Sequence, residues 1–234
     1  MQRVQAVKAF RLESKRPATN DLAATPTQFA FVSHPNSHYL LLPSVSSERR
    51  NFIPIGFMPP EVIASNLCLI IPHATLYHFG ILSSTMHNAW MRTVCGRLES
   101  RYRYSAGIVY NNYPWPENTS DVGAGHAREM PENKSIAGMT RSYRDRVEAA
   151  ALAVLDARAQ FPQSSLADLY DPLTMPPVLV KAHQALDRAV DACYRKATFT
   201  NDAQRVEFLF GRYQQLTSLL PTEKLAKARK KKVS

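Results

Sequence analysis

"GRLESRYRYSAGIVYNNYPWPE", residues Gly96 to Glu117, is where the chain changes character. Before it, from about Gln28, short apolar runs recur between Pro, Ser and Asn: QFAFV, HYLLLPSV, NFIPIGF, NLCLIIP and, inside the stretch itself, AGIVYNN. Val, Ile, Tyr and Phe suit a pleated, half-buried surface, so these runs predict strands. One helix is expected among them. Met86, Trp90, Val94 and Leu98 recur at intervals of four behind Ser83-Ser84-Thr85, a cluster able to cap a helix start, and the helix is expected to end near Gly96 to Leu98. The quoted stretch thus closes a strand-rich domain over residues 27–117.

Beyond it, residues 118–140 are polar and turn-prone without a sustained period, which predicts a linker or surface insertion. Tyr143 to Gln160 is Ala-rich, with Val147, Ala150, Ala151, Val154 and Leu155 as an apolar stripe. SSLADLYD makes a short capped turn, and Pro176-Pro177 opens a second helix carrying Leu179, His183, Leu186, Val190 and Cys193 or Tyr194. Thr200-Asn201-Asp202 caps a third, with Val206, Leu209, Phe210, Tyr213 and Leu216. The expected class is α+β: a mixed strand-rich domain, then a small helical bundle over residues 141–220. The basic residues 221–234, including KLAKARKKKVS, are expected to fray as a solvated tail.

Bulk properties bound the partner. At 234 residues and 45% apolar content the chain can bury a core as one large domain or two smaller ones. Its 29 Lys and Arg against 19 Asp and Glu, a formal charge of +10, favour a polyanion: nucleic acid or an acidic membrane surface. No run approaches the roughly 18 apolar residues that span a bilayer, and MQRVQAVKAFRLESKR lacks the apolar stretch of a secretory signal. A soluble cytoplasmic protein is expected, without a membrane partner. Cys68, Cys95 and Cys193 are odd in number and lie far apart in apolar settings, as buried free thiols do.

Catalytic chemistry can be tested motif by motif. Asn112-Tyr113-Pro114-Trp115 looks like the polar-Pro-Pro-aromatic loop that holds a flipped base in amino-methylating DNA methyltransferases, but Tyr113 stands where the first proline belongs. The glycine turn for a methyl donor is also missing, since Gly123-Ala124-Gly125 falls in the polar linker rather than between strand and helix. Glu132-Asn133-Lys134 has the acid-x-Lys spacing of metal-dependent nucleases without a partner carboxylate. His34, His38, His73, His78, His87, His126 and His183 form no HExxH or Cys-paired zinc pattern, and no Gly-x-Ser-x-Gly elbow occurs. No autonomous active site is expected.

Reading DNA suits the ESRYR end better. Arg can donate two bonds to guanine, and a carboxylate accepts from the amino group of cytosine. Glu99 and Arg101, two apart, would share one face of an extended stretch that Arg103 continues. An exposed strand with a salt-bridged Glu and Arg has the same pattern, and the residues alone leave both readings open.

Five segments carry a family resemblance: LLPSVSSERRNFIPIGFMPPEVIASN (Leu41 to Asn66), HATLYHFG (His73 to Gly80), AWMRTVCGRLESRYRYSAGIVYNNYPWPE (Ala89 to Glu117), SLADLYDPLTMPPVLVKAHQALDRAVDACY (Ser165 to Tyr194) and FTNDAQRVEFLFGRYQQLT (Phe199 to Thr217). In this order they resemble the target-recognition and C-terminal helical regions of the MmeI-like family, the type IIL restriction-modification enzymes. Members of that family join a nuclease, a helical connector, an adenine-specific DNA methyltransferase core and these two regions in one polypeptide. The resemblance implies that residues 1–26, with VQAVKAFRLESKRPAT, are a connector leading out of a methyltransferase core. Nuclease motif, methyl-donor turn and catalytic loop then lie outside this chain.

The resemblance further implies that base choice rests on the pair after Gly-Arg-Leu, here Glu99 and Arg101, with Arg103 contributing. Arg49 and Arg50 in SSERR become phosphate or base-edge contacts, and Ser46 and Ser47 phosphate donors. The expected partner is double-stranded DNA, together with a methyltransferase core if that is separately encoded. S-adenosylmethionine and magnesium, the cofactors of the parent family, are not expected to bind this chain. It departs from the family pattern at Asn118 to Thr140, where the Pro-Trp-Pro segment usually runs almost directly into a helix. The function implied is a DNA sequence-recognition module that is not catalytic alone. The alternatives are a split methyltransferase completed by a partner, an enzyme with an unrecognised site, and a vestigial fragment.

Overall fold

The structure, a computed structural model, describes residues 1–30, 34–116 and 134–218, with backbone alone over 134–142. It divides into two units, Met1–Asn36 and Ser37–Ser234. The first holds helices α1 (Gln2–Leu12) and α2 (Pro17–Asp21) and a 3-10 turn, Leu22–Ala24. Pro17 opens α2, where its missing N–H costs nothing. Few apolar groups are enclosed here, and an arginine takes the place of a core. Arg11 donates to the carbonyls of Leu22 (2.7 Å), Thr25 (2.8 Å) and Gln28 (2.8 Å), tying α1 to the chain that follows.

The second unit runs β1 (Tyr39–Pro43), β2 (Val45–Ser46), β3 (Gly56–Met58), β4 (Cys68–Pro72), α3 (Leu76–Ser83), α4 (Thr85–Val94), β5 (Gly96–Leu98), β6 (Arg101–Arg103) and a π-helical turn, Ala106–Tyr110. After the undescribed residues come α5 (Lys134–Ala159), α6 (Leu166–Leu169), α7 (Pro177–Tyr194) and α8 (Asp202–Thr217). Two antiparallel sheets form, in the orders β3-β1-β4 and β2-β6-β5. Ser44 joins them: its N–H donates to Leu67 (2.9 Å), and its carbonyl accepts from Tyr104 (2.8 Å). One continuous segment therefore feeds both sheets, and the fold is α+β, as expected.

Helices cover the sheets and supply most of the core. Val147, Ala151 and Val154 of α5 and Leu179, Leu186 and Val190 of α7 are buried with Phe79, Ile81 and Leu82 of α3. Gly80 permits the closest approach, since a Cβ there would lie 2.8 Å from Val147 Cγ1 and 3.2 Å from Ala151 Cβ. The expected caps are present. Ser84 accepts from His87 N–H, Ser165 forms a capping box with Asp168, Pro177 opens α7, and Asn201 accepts from Gln204 N–H. No described helix is long and apolar enough to cross a membrane.

Several expectations are corrected. Residues Tyr77 to Ser83, read as part of the strand-rich half, form most of α3 and are buried all round, so no one-sided stripe announced the helix. The helix of Met86 and Trp90 ends at Val94, just short of the expected Gly96 to Leu98, because Cys95 is already extended and Gly96 to Leu98 enter a strand. AGIVYNN is a π-helical turn: Ser105 Oγ accepts from Ile108 N–H, and Asn112 Nδ2 donates to the carbonyls of Gly107 (2.8 Å) and Ile108 (3.1 Å). Local side-chain bonds thereby outweigh β-prone composition. Of NFIPIGF only Gly56 and Phe57 are in a strand, and Gln28 to Ala30 of QFAFV are not; the rest of QFAFV, through Val32, lies outside the described residues. α5 starts at Lys134, earlier than Tyr143. The three cysteines are unpaired and half-buried, and the tail 221–234 lies outside the described residues.

Candidate nucleic-acid interface

β5 and β6 pair as Gly96↔Arg103, Arg97↔Tyr102 and Leu98↔Arg101, which leaves Glu99 and Ser100 as the loop of a tight hairpin. Glu99 takes φ 57°, the left-handed backbone that such loops require at a central position. Glu99 and Arg101 therefore do not share an extended stretch as the alternation predicted: Glu99 is at the tip and Arg101 in the strand behind it. They still converge, because Arg101 Nη2 donates to Glu99 Oε2 at 2.7 Å, with side chains 46% and 77% exposed. An ion pair this exposed contributes only about 0–1 kcal/mol, so either partner can exchange it for another ligand at little cost.

Pairing fixes two faces of the ribbon. Arg101 and Arg103 lie on one, both exposed, while Arg97, Tyr102 and Ser46 lie on the other. Tyr102 packs against the core, so the arginine pair faces outward. Arg97 was missed by the sequence reading. Its guanidinium stacks 4.1 Å over the Tyr102 ring, and Nη1 donates to Ser100 O at 3.0 Å, bracing the loop that presents Glu99. The signal was the same two-residue alternation, Arg97, Glu99, Arg101, Arg103; the turn sends Arg97 to the opposite face.

β2 lies along the other edge of β6, with Ser46 opposite Tyr102. Because the pair is antiparallel, the chain leaving Ser46 runs toward the hairpin's tip before it turns at Ser47 to Arg50. Of Ser46, Ser47, Arg49 and Arg50, strand pairing sets Ser46 beside the hairpin. Ser46 is only 6% exposed and has the least surface to offer. Ser47 Oγ accepts from Arg49 N–H (3.2 Å), and its carbonyl accepts from Arg50 N–H (3.2 Å), which closes a turn. Arg49 is exposed and Arg50 half-buried, its Nε without a hydrogen-bond partner among the described residues.

An outward arginine face, a carboxylate at the tip and a basic loop following the neighbouring strand coincide with a family match. The family described as "MmeI, target recognition domain" matches residues 1–117, and that described as "MmeI, C-terminal domain" matches residues 140–221. The chain belongs to the MmeI family. A Bacillus subtilis (strain 168) protein named DNA methyltransferase A is 37% identical over 216 residues, 92% of this chain and 22% of that protein. The solved structure of the type IIL restriction-modification enzyme MmeI in complex with DNA is 47% identical, with a TM-score of 0.77 over 93% of this chain and 26% of that one. This chain thus spans about a quarter or less of the relatives it matches.

In this MmeI-family chain the segment that suggested base methylation is packed inside. Tyr113 is buried and its hydroxyl accepts from Tyr194 at 2.7 Å; Pro114 and Pro116 are also buried, and Trp115 makes edge contacts with His78, Tyr110 and Tyr113. Beneath the ribbon, His87 Nδ1 donates to Leu82 O (3.0 Å), so Nε2 is the lone pair that accepts from Tyr104 (3.1 Å). Burial pushes the His87 pKa down to about 3, and the imidazole stays neutral. Among the described residues no three His, Cys, Asp or Glu side chains converge to hold a metal. Gly123-Ala124-Gly125, with Glu132 and Asn133, lies outside the described residues.

Proposed function

We propose that this chain is a DNA sequence-recognition module of the MmeI type, which binds duplex DNA and transfers no methyl group by itself. The observation that carries the reading is the Gly96 to Arg103 ribbon, with Arg101 and Arg103 exposed on one face and Glu99 at its tip. A major groove admits a two-stranded ribbon, and these side chains have complementary bonding: Arg bidentate to guanine, carboxylate to the amino group of cytosine. In this reading the Glu99–Arg101 ion pair of the free protein opens so that both groups engage base edges. Arg49 and Arg50 contact the backbone beside the ribbon, with Ser47 and, less exposed, Ser46. The DNA in the MmeI complex and the methyltransferase name of the Bacillus subtilis relative support this assignment. Methyl transfer with S-adenosylmethionine is assigned to a methyltransferase core, and magnesium-dependent cutting to the family's nuclease, both outside these residues, on the same or a separate polypeptide.

Selection from duplex pools tests the reading. The purified chain should enrich a defined sequence, and Glu99→Lys together with Arg101→Asp should change it; an unchanged preference sinks the site assignment. Methylation or cutting by the chain alone, with S-adenosylmethionine and magnesium supplied, would overturn its non-catalytic role. Arg49→Ala and Arg50→Ala should weaken binding across sequences and lower the dependence of affinity on salt.

A further inference from the structure

Between the end of β2 at Ser46 and the start of β3 at Gly56 the backbone has no strand partner, yet helices grip it at successive points. Arg92, in the last turn of α4, donates through Nη2 to the carbonyls of Asn51 (2.6 Å) and Arg50 (3.3 Å). Its Nη1 donates to Asp202 Oδ2 (3.1 Å) at the start of α8. One residue on, the Phe52 ring stacks on the buried His183 of α7, with centroids 4.0 Å apart. Arg158 of α5, itself 9% exposed, donates to Ile55 O at 2.7 Å. α5, α7 and α8, all within residues 134–217, thus hold the segment from behind, while Arg49 stays exposed at its front.

We propose that the C-terminal helices position the basic loop Ser47 to Asn51 for the DNA backbone, with Arg92 and Asp202 as positioning residues. The proposal rests on the reading of that loop as a DNA contact. Asp202 fixes the guanidinium of Arg92 in the orientation that ties down two consecutive carbonyls, and the loop then meets phosphate already ordered. Pre-ordering spares the entropy that a loose loop would lose on binding.

The test exploits a conflict of signs. Asp202→Asn makes the chain one unit more positive, which by electrostatics alone tightens binding to DNA; loss of positioning weakens it. The variant also loses the longer Arg205–Asp202 contact (3.4 Å), but the capping bond from Gln204 N–H to Asn201 and the Arg205–Asp191 pair remain, so α8 keeps its cap and its anchor to α7. Measured on a labelled random-sequence duplex with the full chain at fixed salt, Asp202→Asn and the charge-conserving Arg92→Lys should each weaken binding several-fold. In an Arg49→Ala, Arg50→Ala background the effect of Asp202→Asn should shrink toward none. Binding unchanged or tighter in Asp202→Asn, or equal effects in both backgrounds, overturns the positioning role. If Arg49→Ala with Arg50→Ala leaves binding intact, the reading of the loop as a DNA contact fails and takes this proposal with it.

Discussion

Glu99 holds a backbone conformation that glycine adopts without steric cost, and the exposed ion pair with Arg101 is too weak to be the whole reason. Left-handed geometry costs a non-glycine residue on the order of 1 kcal/mol. Glu99→Gly should therefore leave thermal stability equal or slightly higher while base discrimination falls, a split that melting and competition binding would record. Loss of stability together with discrimination would instead make Glu99 a structural residue. Arg97→Lys keeps the charge but loses the planar stack on Tyr102 and its aligned bond to Ser100. Discrimination should fall several-fold while affinity for random duplex stays near its original value. The alternation of Glu99, Arg101 and Arg103 was legible in the sequence. Its turn was not, because Glu-Ser lacks the Asn-Gly or Asp-Gly signature of tight hairpin loops.

At the scale of elements, legibility followed one-sidedness. α7 shows an outside and an inside in sequence, and its stripe of Leu179, His183, Leu186 and Val190 is buried as expected. α3 has no outside: every residue from Tyr77 to Ser83 is buried, so periodicity carries no signal, although Thr75 and His78 form a capping box. Its packing is correspondingly intolerant. Gly80→Ala places a methyl group 2.8 Å from Val147 Cγ1, and overpacking of this kind costs about 1–3 kcal/mol. Urea denaturation of the variant should show that loss, and an unchanged midpoint would mean that α3 can shift away from α5. The Ala106–Tyr110 turn illustrates the opposite error, in which β-prone side chains are overruled by Ser105, by Asn112 and by the Trp90 indole donating to Val109 O at 3.1 Å.

For the whole molecule, buried histidines make stability depend on pH. Burial pushes both His87 and His183 down to about 3, whereas in the unfolded chain each titrates near its ordinary value of about 6.5. Between those values the unfolded state binds the extra protons, so stability is full above about pH 6.5 and is lost as pH falls toward 3. Each histidine contributes a slope of about 1.4 kcal/mol per pH unit inside the window. Asp187 opposes them: burial raises its pKa to about 6 despite its bonds from Thr85, so between about 3.8 and 6 its folded form holds the proton and favours the acid side. The net expectation is a chain that weakens on acidification from about pH 6.5 toward 3, with Asp187 offsetting part of the histidine slope between about 3.8 and 6. Denaturation across a pH series should show it, and His183→Gln should reduce the slope; an unaltered slope would mean that the imidazole titrates normally.

What the sequence by itself determined is whatever depends on nearest neighbours and totals: the capped helices α6 and α8 and the proline-opened α7, the α+β class, the positive charge, and the ordered segments that resemble the MmeI family. The candidate site was named in the sequence as a list of residues, without an arrangement. Only the tertiary structure decided that Arg97 backs the ribbon while Arg101 fronts it, that Ser46 is enclosed, and that β2, which leads into the loop of Arg49 and Arg50, pairs with β6. It also decided what holds that loop, since Arg92 reaches Asn51 across 41 positions, Arg158 reaches Ile55 across 103 and Arg92 reaches Asp202 across 110. Strand register and long-range contact are properties of the packed chain. A one-residue slip in pairing sends every side chain to the other face, and no local pattern of residues states which register the packing will choose.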